Sequence, residues 1–155
     1  MAKQQKNYQT QWAGQFGVAH ELTRRGYLVT FTTGNAPAAD LLCVSPNGVS
    51  FRLQVKSIAA HNSWICQQSL IDKSDLYFAF VVVPAVEADK PVKPVEYFLL
   101  SHAQFMQVVD RQKQWMAERE KVRGKPYKEF AATGFNYPVL ANYFNHLNAW
   151  HNLPA

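Results

Sequence analysis

Three stretches of the chain carry side chains whose types and spacing could do chemistry together. Asp40 follows a stretch containing Gly34, Asn35 and Pro37. Fourteen residues later, Gln54-Val55-Lys56 offers an amide oxygen and an ammonium two positions apart. Gln15 stands among Trp12, Phe16, Ala19 and Leu22, a polar side chain in an apolar pattern that needs a partner once buried. If Gln54–Lys56 is extended, Gln54 and Lys56 share one face and Leu53 and Val55 the other. A carboxylate, an amide oxygen and an ammonium at one sheet edge would suit a hard divalent cation beside a phosphate. Mg²⁺ takes oxygen ligands, often one or two carboxylates plus waters. It would polarise the phosphate and acidify a bound water, and an ammonium would steady the developing negative charge.

The charge at this site is thin. Two unit charges at ~4 Å attract by about 4 kcal/mol at an effective dielectric near 20, and a divalent ion doubles that pairwise figure. Each missing carboxylate is therefore a substantial loss, which substrate phosphates would have to make good. Glu21 does not fill the gap, because six helical residues from Gln15 amount to ~600°, about 120° off its face.

The elements that must position these groups follow from periodicity and turn signals. Trp12, Phe16, Ala19 and Leu22 define an apolar face on a helix from about Thr10, its N-cap, to Arg25, with Gly26 as the stop. Tyr27–Thr32 is the first strand, Thr33–Ala38 a loop, and Ala39–Ser45 the second strand. Pro46-Asn47-Gly48 turns it into a third, Val49–Ser57, which brings Gln54 and Lys56 back beside Asp40. Leu76–Val83 is almost continuously apolar and reads as a strand buried on both faces. After a loop with Pro84, Pro91 and Pro94, Glu96–Leu100 is an edge strand. Ser101 caps a helix to about Lys121, with Phe105, Val108, Val109, Gln112 and Met116 near one face, and Gly124–Pro126 breaks it. A short helix is expected near Pro138–Leu147. This order predicts an α/β fold with a central mixed β-sheet flanked by helices, as a single domain over residues 1–155.

The 155 residues are 48% hydrophobic, 14% aromatic and only 17% charged, which suits a packed core rather than a disordered or coiled-coil chain. The longest apolar run, around Leu76–Val83, is far short of a membrane span. Met1–Gln15 lacks an apolar signal core, so the expected location is the cytoplasm. Cys43 and Cys66 form no disulfide framework, and the five histidines show no metal-ligand spacing. Sixteen Lys and Arg against eleven Asp and Glu give a net charge of +5. Residues 1–60 hold six basic and two acidic side chains, residues 61–100 three and five, residues 101–155 seven and four. A basic surface favours polyanions, although many soluble domains reach this excess without binding nucleic acid. The run Arg111, Lys113, Arg119, Lys121, Arg123 and Lys125 reads as a solvated helix face that could also follow a DNA backbone. Trp64, Trp115 and Trp150 read as core.

Gly14-Gln15-Phe16-Gly17 through Arg25-Gly26-Tyr27, Gly34 through Asp40-Leu41-Leu42, and Leu53-Gln54-Val55-Lys56-Ser57 together resemble the PD-(D/E)XK nuclease superfamily, in its QVK-type prokaryotic form. The resemblance covers Gly14 to Ser57 and, more loosely, Leu76–Val83. It implies a restriction-endonuclease-like core of αβββαβ type and Mg²⁺- or Mn²⁺-dependent cleavage of double-stranded DNA. It also implies a homo-oligomer where both strands must be cut. By position it makes Asp40 the metal-binding aspartate and Gln54 the second ligand as a neutral amide. Val55 becomes a carbonyl ligand, and Lys56 the group at the water or phosphate. Gln15 falls where many relatives place a glutamate. With Gln at 15 and 54, an alternative stands beside the nuclease: a catalytically weak or inactive module of the same fold that binds DNA or a protein partner.

Overall fold

The computed structural model describes residues 3–33, 39–66, 74–127 and 133–155. Most of the expected loop Thr33–Ala38, namely residues 34–38, lies outside them. The first helix, α1 (Lys3–Thr23), begins a full two turns before the expected Thr10. Thr10 does not cap it: its hydroxyl donates back to the Lys6 carbonyl from within the helix. Gly26 ends the turn beyond α1 at φ +88°, a left-handed conformation that glycine adopts without strain. The buried stripe is also rotated from the expected one. Gly14, Gln15, Val18, Ala19 and Leu22 face the sheet, at the three- and four-residue steps of one helix face, while Phe16 points outward and is 56% exposed.

The central sheet contains β1 (Leu28–Phe31), β2 (Leu41–Val44), β3 (Ser50–Ile58), β5 (Leu76–Val82) and β6 (Glu96–Ser101), in the order β1-β2-β3-β5-β6. β1, β2 and β3 form the expected antiparallel meander, with Leu41 opposite Leu53, and Gly48 turns the hairpin at φ +85°. β5 runs parallel to β3, with Gln54 opposite Phe78 and Lys56 opposite Phe80, and β6 is antiparallel to β5. The sheet is therefore mixed. β5 is buried along almost its whole length, as its continuous apolar run predicts.

One core lies on each face. Val18, Ala19 and Leu22 of α1 pack on Leu41, Cys43, Leu53, Val55, Ala79, Val81 and Leu99. On the other face α2 (His102–Arg123) brings Phe105, Val108 and Val109 against Phe78, Phe80, Phe98 and Leu100. Ser101 caps α2 as expected: its hydroxyl accepts from the Gln104 N–H while the Gln104 side chain accepts from the Ser101 N–H, a capping box. Gly124 closes the helix at φ +67°.

Two strands escape the sequence. β4 (Ser63–Cys66) and β7 (Thr133–Asn136) form a separate antiparallel pair beside the second core, carrying Trp64 and Phe135 into it. Gly134 is needed there, because a Cβ would lie 2.4 Å from the Trp64 carbonyl oxygen. α3 (Tyr137–Tyr143) follows at once and is shorter than the expected Pro138–Leu147. Trp64 is core, and Trp115 and Trp150 pack half-buried against the two clusters. No helix among the described residues is long and apolar enough to cross a membrane.

Candidate functional site

Asp40 sits where β2 has not yet begun and β3 is already paired. Its N–H donates to the Leu53 carbonyl at 3.0 Å, one step beyond the last β2–β3 pair. Thr32, just after β1, fixes it from the other side: the Thr32 N–H donates to the Asp40 carbonyl at 3.1 Å, and the Thr32 hydroxyl to the Ala39 carbonyl at 2.8 Å. Past Leu53, the β2-facing edge of β3 has no strand neighbour among the described residues. The Asp40 carboxylate takes that place. Its Oδ2 accepts the Val55 N–H at 2.8 Å, and its Oδ1 accepts the Gln15 side-chain amide at 3.3 Å. Three elements thus converge on one carboxyl group: α1 through Gln15, β3 through Val55, and the β1–β2 connection through Thr32.

Gln15 is 8% exposed, so the amide that interrupts the apolar face of α1 has found its partner in Asp40. α1 reaches the sheet this closely because Gly14 and Gly17 have no side chain. A Cβ on Gly14 would fall 1.9 Å from the Ser57 hydroxyl, and one on Gly17 would fall 2.5 Å from the Tyr97 hydroxyl. These glycines and Thr32 are positioning residues missing from the sequence expectations. The available signal was a pair of glycines three apart inside a helical pattern, where each costs helix propensity and so points to close packing.

Leu53 and Val55 belong to the α1-side core, so strand alternation puts Gln54 and Lys56 on the opposite face. Gln54 is 5% exposed, and its Oε1 is buried with no hydrogen-bond partner among the described residues. Lys56 is half-buried and makes no hydrogen bond or ion pair among the described residues. It is close enough for its charge to favour the ionised forms of both Asp40 and Cys66. The N–H and C=O of one strand residue point to the same edge, so the Val55 carbonyl faces the Asp40 side. The five residues expected at the site therefore gather around the end of β2. Asp40, Gln15 and Val55 are joined directly, and Gln54 and Lys56 lie on the far face of the same stretch of β3.

The electrostatics follow from burial. Removal from water pushes the Asp40 carboxyl above the usual carboxylate range, and the Val55 N–H and then the Lys56 ammonium oppose this only in part. Glu21 is committed elsewhere. Arg25 and Arg24 pair with it, and the Arg25 hydrogen bond holds its pKa below the ordinary value. The Cys43 and Cys66 thiols are pushed up to about 12 by burial and are poor nucleophiles or metal ligands.

Among the described residues no three His, Cys, Asp or Glu side chains cluster as a metal cage. The donors present are all hard oxygens: the Asp40 carboxylate, the Gln54 Oε1 and the Val55 carbonyl. Mg²⁺ and Mn²⁺ accept such a set when one or two carboxylates are completed by waters and substrate phosphate. The partnerless Oε1 of Gln54 is the feature that fits, since a buried carbonyl without a donor is costly until a cation or a donor reaches it. With one protein charge, such an ion would be held jointly with the substrate. No family model matches this chain, and no curated protein or solved structure matches it at significant similarity.

Proposed function

We propose that this chain is a metal-dependent phosphodiesterase domain with a restriction-endonuclease-like core, acting on double-stranded DNA in the cytoplasm. One observation carries the proposal: a half-buried carboxylate and, among the described residues, an amide oxygen and an ammonium without partners surround the point where β2 leaves β3. The order α1, an antiparallel β1–β2–β3 meander and a β5 parallel to β3 supports the αβββ part of the αβββαβ type and its parallel last strand, while the described residues between β3 and β5 hold no helix. The described part of the crossover between β3 and β5 contains β4, and residues 67–73 lie outside the described residues.

A Mg²⁺ or Mn²⁺ ion at the Asp40, Gln54 and Val55 oxygens would polarise the scissile phosphate and acidify a water. Gln15 and the Val55 N–H hold the Asp40 carboxylate in a fixed orientation, so little reorganisation is needed when charge develops. Lys56, free of any internal ion pair among the described residues, offers its ammonium to a phosphate oxygen. Its half-buried position makes that attraction stronger than in bulk water.

A second reading has its own support. Both oxygens of Asp40 already accept hydrogen bonds from the protein, and that favours a module which grips nucleic acid without cutting it.

Plasmid nicking with Mg²⁺ and Mn²⁺ separates the two. Cleavage that is lost by at least about a hundredfold in Asp40→Ala and Lys56→Ala establishes the enzyme. Gln54→Glu restores a second carboxylate and should lower the metal concentration needed for half-maximal nicking by about tenfold. Salt-sensitive DNA binding without nicking in any variant establishes the module instead.

A further inference from the structure

The outer half of α2 carries arginines laid over aromatic rings. Gln112 is the last buried residue of this helix, so Lys113–Arg123, roughly 16 Å of helix, continues past the core. Arg111, Trp115, Arg119 and Arg123 follow at four-residue steps, which drift by about 40° each and keep them on one face. Arg111 lies over the Tyr143 ring at 3.9 Å, Arg119 over Trp115 at 4.7 Å and Arg123 over Tyr127 at 4.3 Å. Each ring steadies the flat side of its guanidinium and leaves the N–H edges to an anion.

Only the first of these cations is answered by a carboxylate. Arg111 grips Glu118 with both terminal nitrogens, at 3.1 and 3.3 Å. Arg119 and Arg123 are exposed and pair with no carboxylate among the described residues. Instead the Arg119 Nε donates to the Tyr127 hydroxyl at 3.3 Å. Arg123 and then Arg119 hold that phenol below its ordinary pKa, so the notch between the two guanidiniums favours a negatively charged oxygen. Glu120, the remaining carboxylate at this end of α2, accepts the Tyr127 N–H at 2.7 Å.

We infer that the Arg119–Arg123 face of α2 is a contact surface for the phosphate backbone of a nucleic acid. The cations of this face are all arginines, whose planar fork matches phosphate geometry. Lys113 and Lys121 lie about 120° and 160° from Arg119 around the helix. α2 packs on the side of the central sheet that carries Gln54 and Lys56, so this surface and the proposed phosphate site share one side of the molecule. The inference rests on the proposed function for the choice of nucleic acid over an acidic protein. A second copy is disfavoured as occupant, since a two-fold contact would set like charges against each other.

Fluorescence anisotropy on the full chain, with metal chelated, follows a labelled duplex oligonucleotide through a salt series. Arg119→Gln/Arg123→Gln should weaken binding by at least about tenfold at low salt and reduce the slope of log affinity against log salt by about two. Arg119→Lys/Arg123→Lys should keep the slope, because the charges remain. Unchanged affinity and slope in the glutamine variant overturns the surface, and so does an equal loss of slope in the lysine variant, which would mark a structural role. Poly-glutamate that displaces the labelled duplex as well as unlabelled duplex does at equal charge also overturns it, by making an acidic protein the occupant. Metal-dependent nicking with unchanged binding in the glutamine variant removes the surface and leaves the proposed function standing. Binding that depends on Arg119 and Arg123 in a chain that never nicks upholds the surface while the hydrolytic proposal falls.

Discussion

Asp40 is the residue on which α1, β3 and the β1–β2 connection all converge, and its ionised form works against the fold. Burial raises its pKa from the ordinary 3.8, so the native state holds its proton more tightly than the unfolded chain does. The resulting stability is fully present below the ordinary value and is lost as pH rises through the raised one. At neutral pH the charged carboxylate is therefore a cost, which a binding or catalytic site can retain for its chemistry. Asp40→Asn should melt at a higher temperature than the wild type at pH 7, with the gap closing below about pH 4. The Asn oxygen still accepts the Val55 N–H, and Gln15 can turn its amide to offer oxygen. Thermal melts across that range check it; an Asn variant that melts at or below the wild type at pH 7 contradicts the argument. Asp40, Gln54 and Lys56 were legible as neighbours because a tight Pro-Asn-Gly turn leaves a hairpin little freedom in register. The Asp40–Val55 hydrogen bond was not legible. It depends on where β2 stops short of β3, and strand ends are poorly encoded in local sequence.

At the scale of elements, the site owes its geometry to how closely α1 lies on β3. The Gly14–Ser57 contact sets that distance, and the Ser57 hydroxyl is buried there without a partner among the described residues. Gly14→Ala should destabilise the protein by about 1–3 kcal/mol, because the new methyl must displace the helix or the strand. Removing the opposing side chain with Ser57→Gly in the same chain should recover part of that loss. Denaturant titrations of the two single variants and the double variant measure the coupling, and strictly additive losses would show that the two positions do not meet. The meander, β5, β6 and α2 were legible from alternation, a continuous apolar run and a capping serine. The burial stripe of α1 was misjudged because Phe16 and Trp12 are apolar yet turn outward, so hydrophobicity alone rotated the expected face. β4 and β7 were missed for another reason. Each is only four residues long, and Ser63 pairs with Asn136 across more than seventy residues of chain.

On the scale of the whole molecule, the central sheet serves both cores at once. Leu53 and Val81 face α1, while Phe78 and Phe80 on the same or neighbouring strands face α2. Neither core can be lost while the other keeps an intact sheet, so both should report one unfolding event. Leu53→Ala is expected to cost about 2–5 kcal/mol and Phe80→Ala about 3–5 kcal/mol. Calorimetry of each variant should show a single lowered transition; two separated transitions in either would contradict the coupling.

The two margins of that sheet are treated very differently. Along β6, the backbone from His146 to Asn148 supplies the missing ladder: the Leu99 N–H donates to the His146 carbonyl, the Asn148 N–H to the Tyr97 carbonyl, and the Asn152 side chain to the Leu99 carbonyl. Among the described residues β1 has no comparable cover on its outer side, and Leu28 stands exposed there. Amyloid-like or swapped-strand growth from the central sheet would therefore have, among the described residues, one template rather than two, and β1, at four residues, is a short one. A lysine introduced at position 28 would act as a gatekeeper against such growth without entering either core.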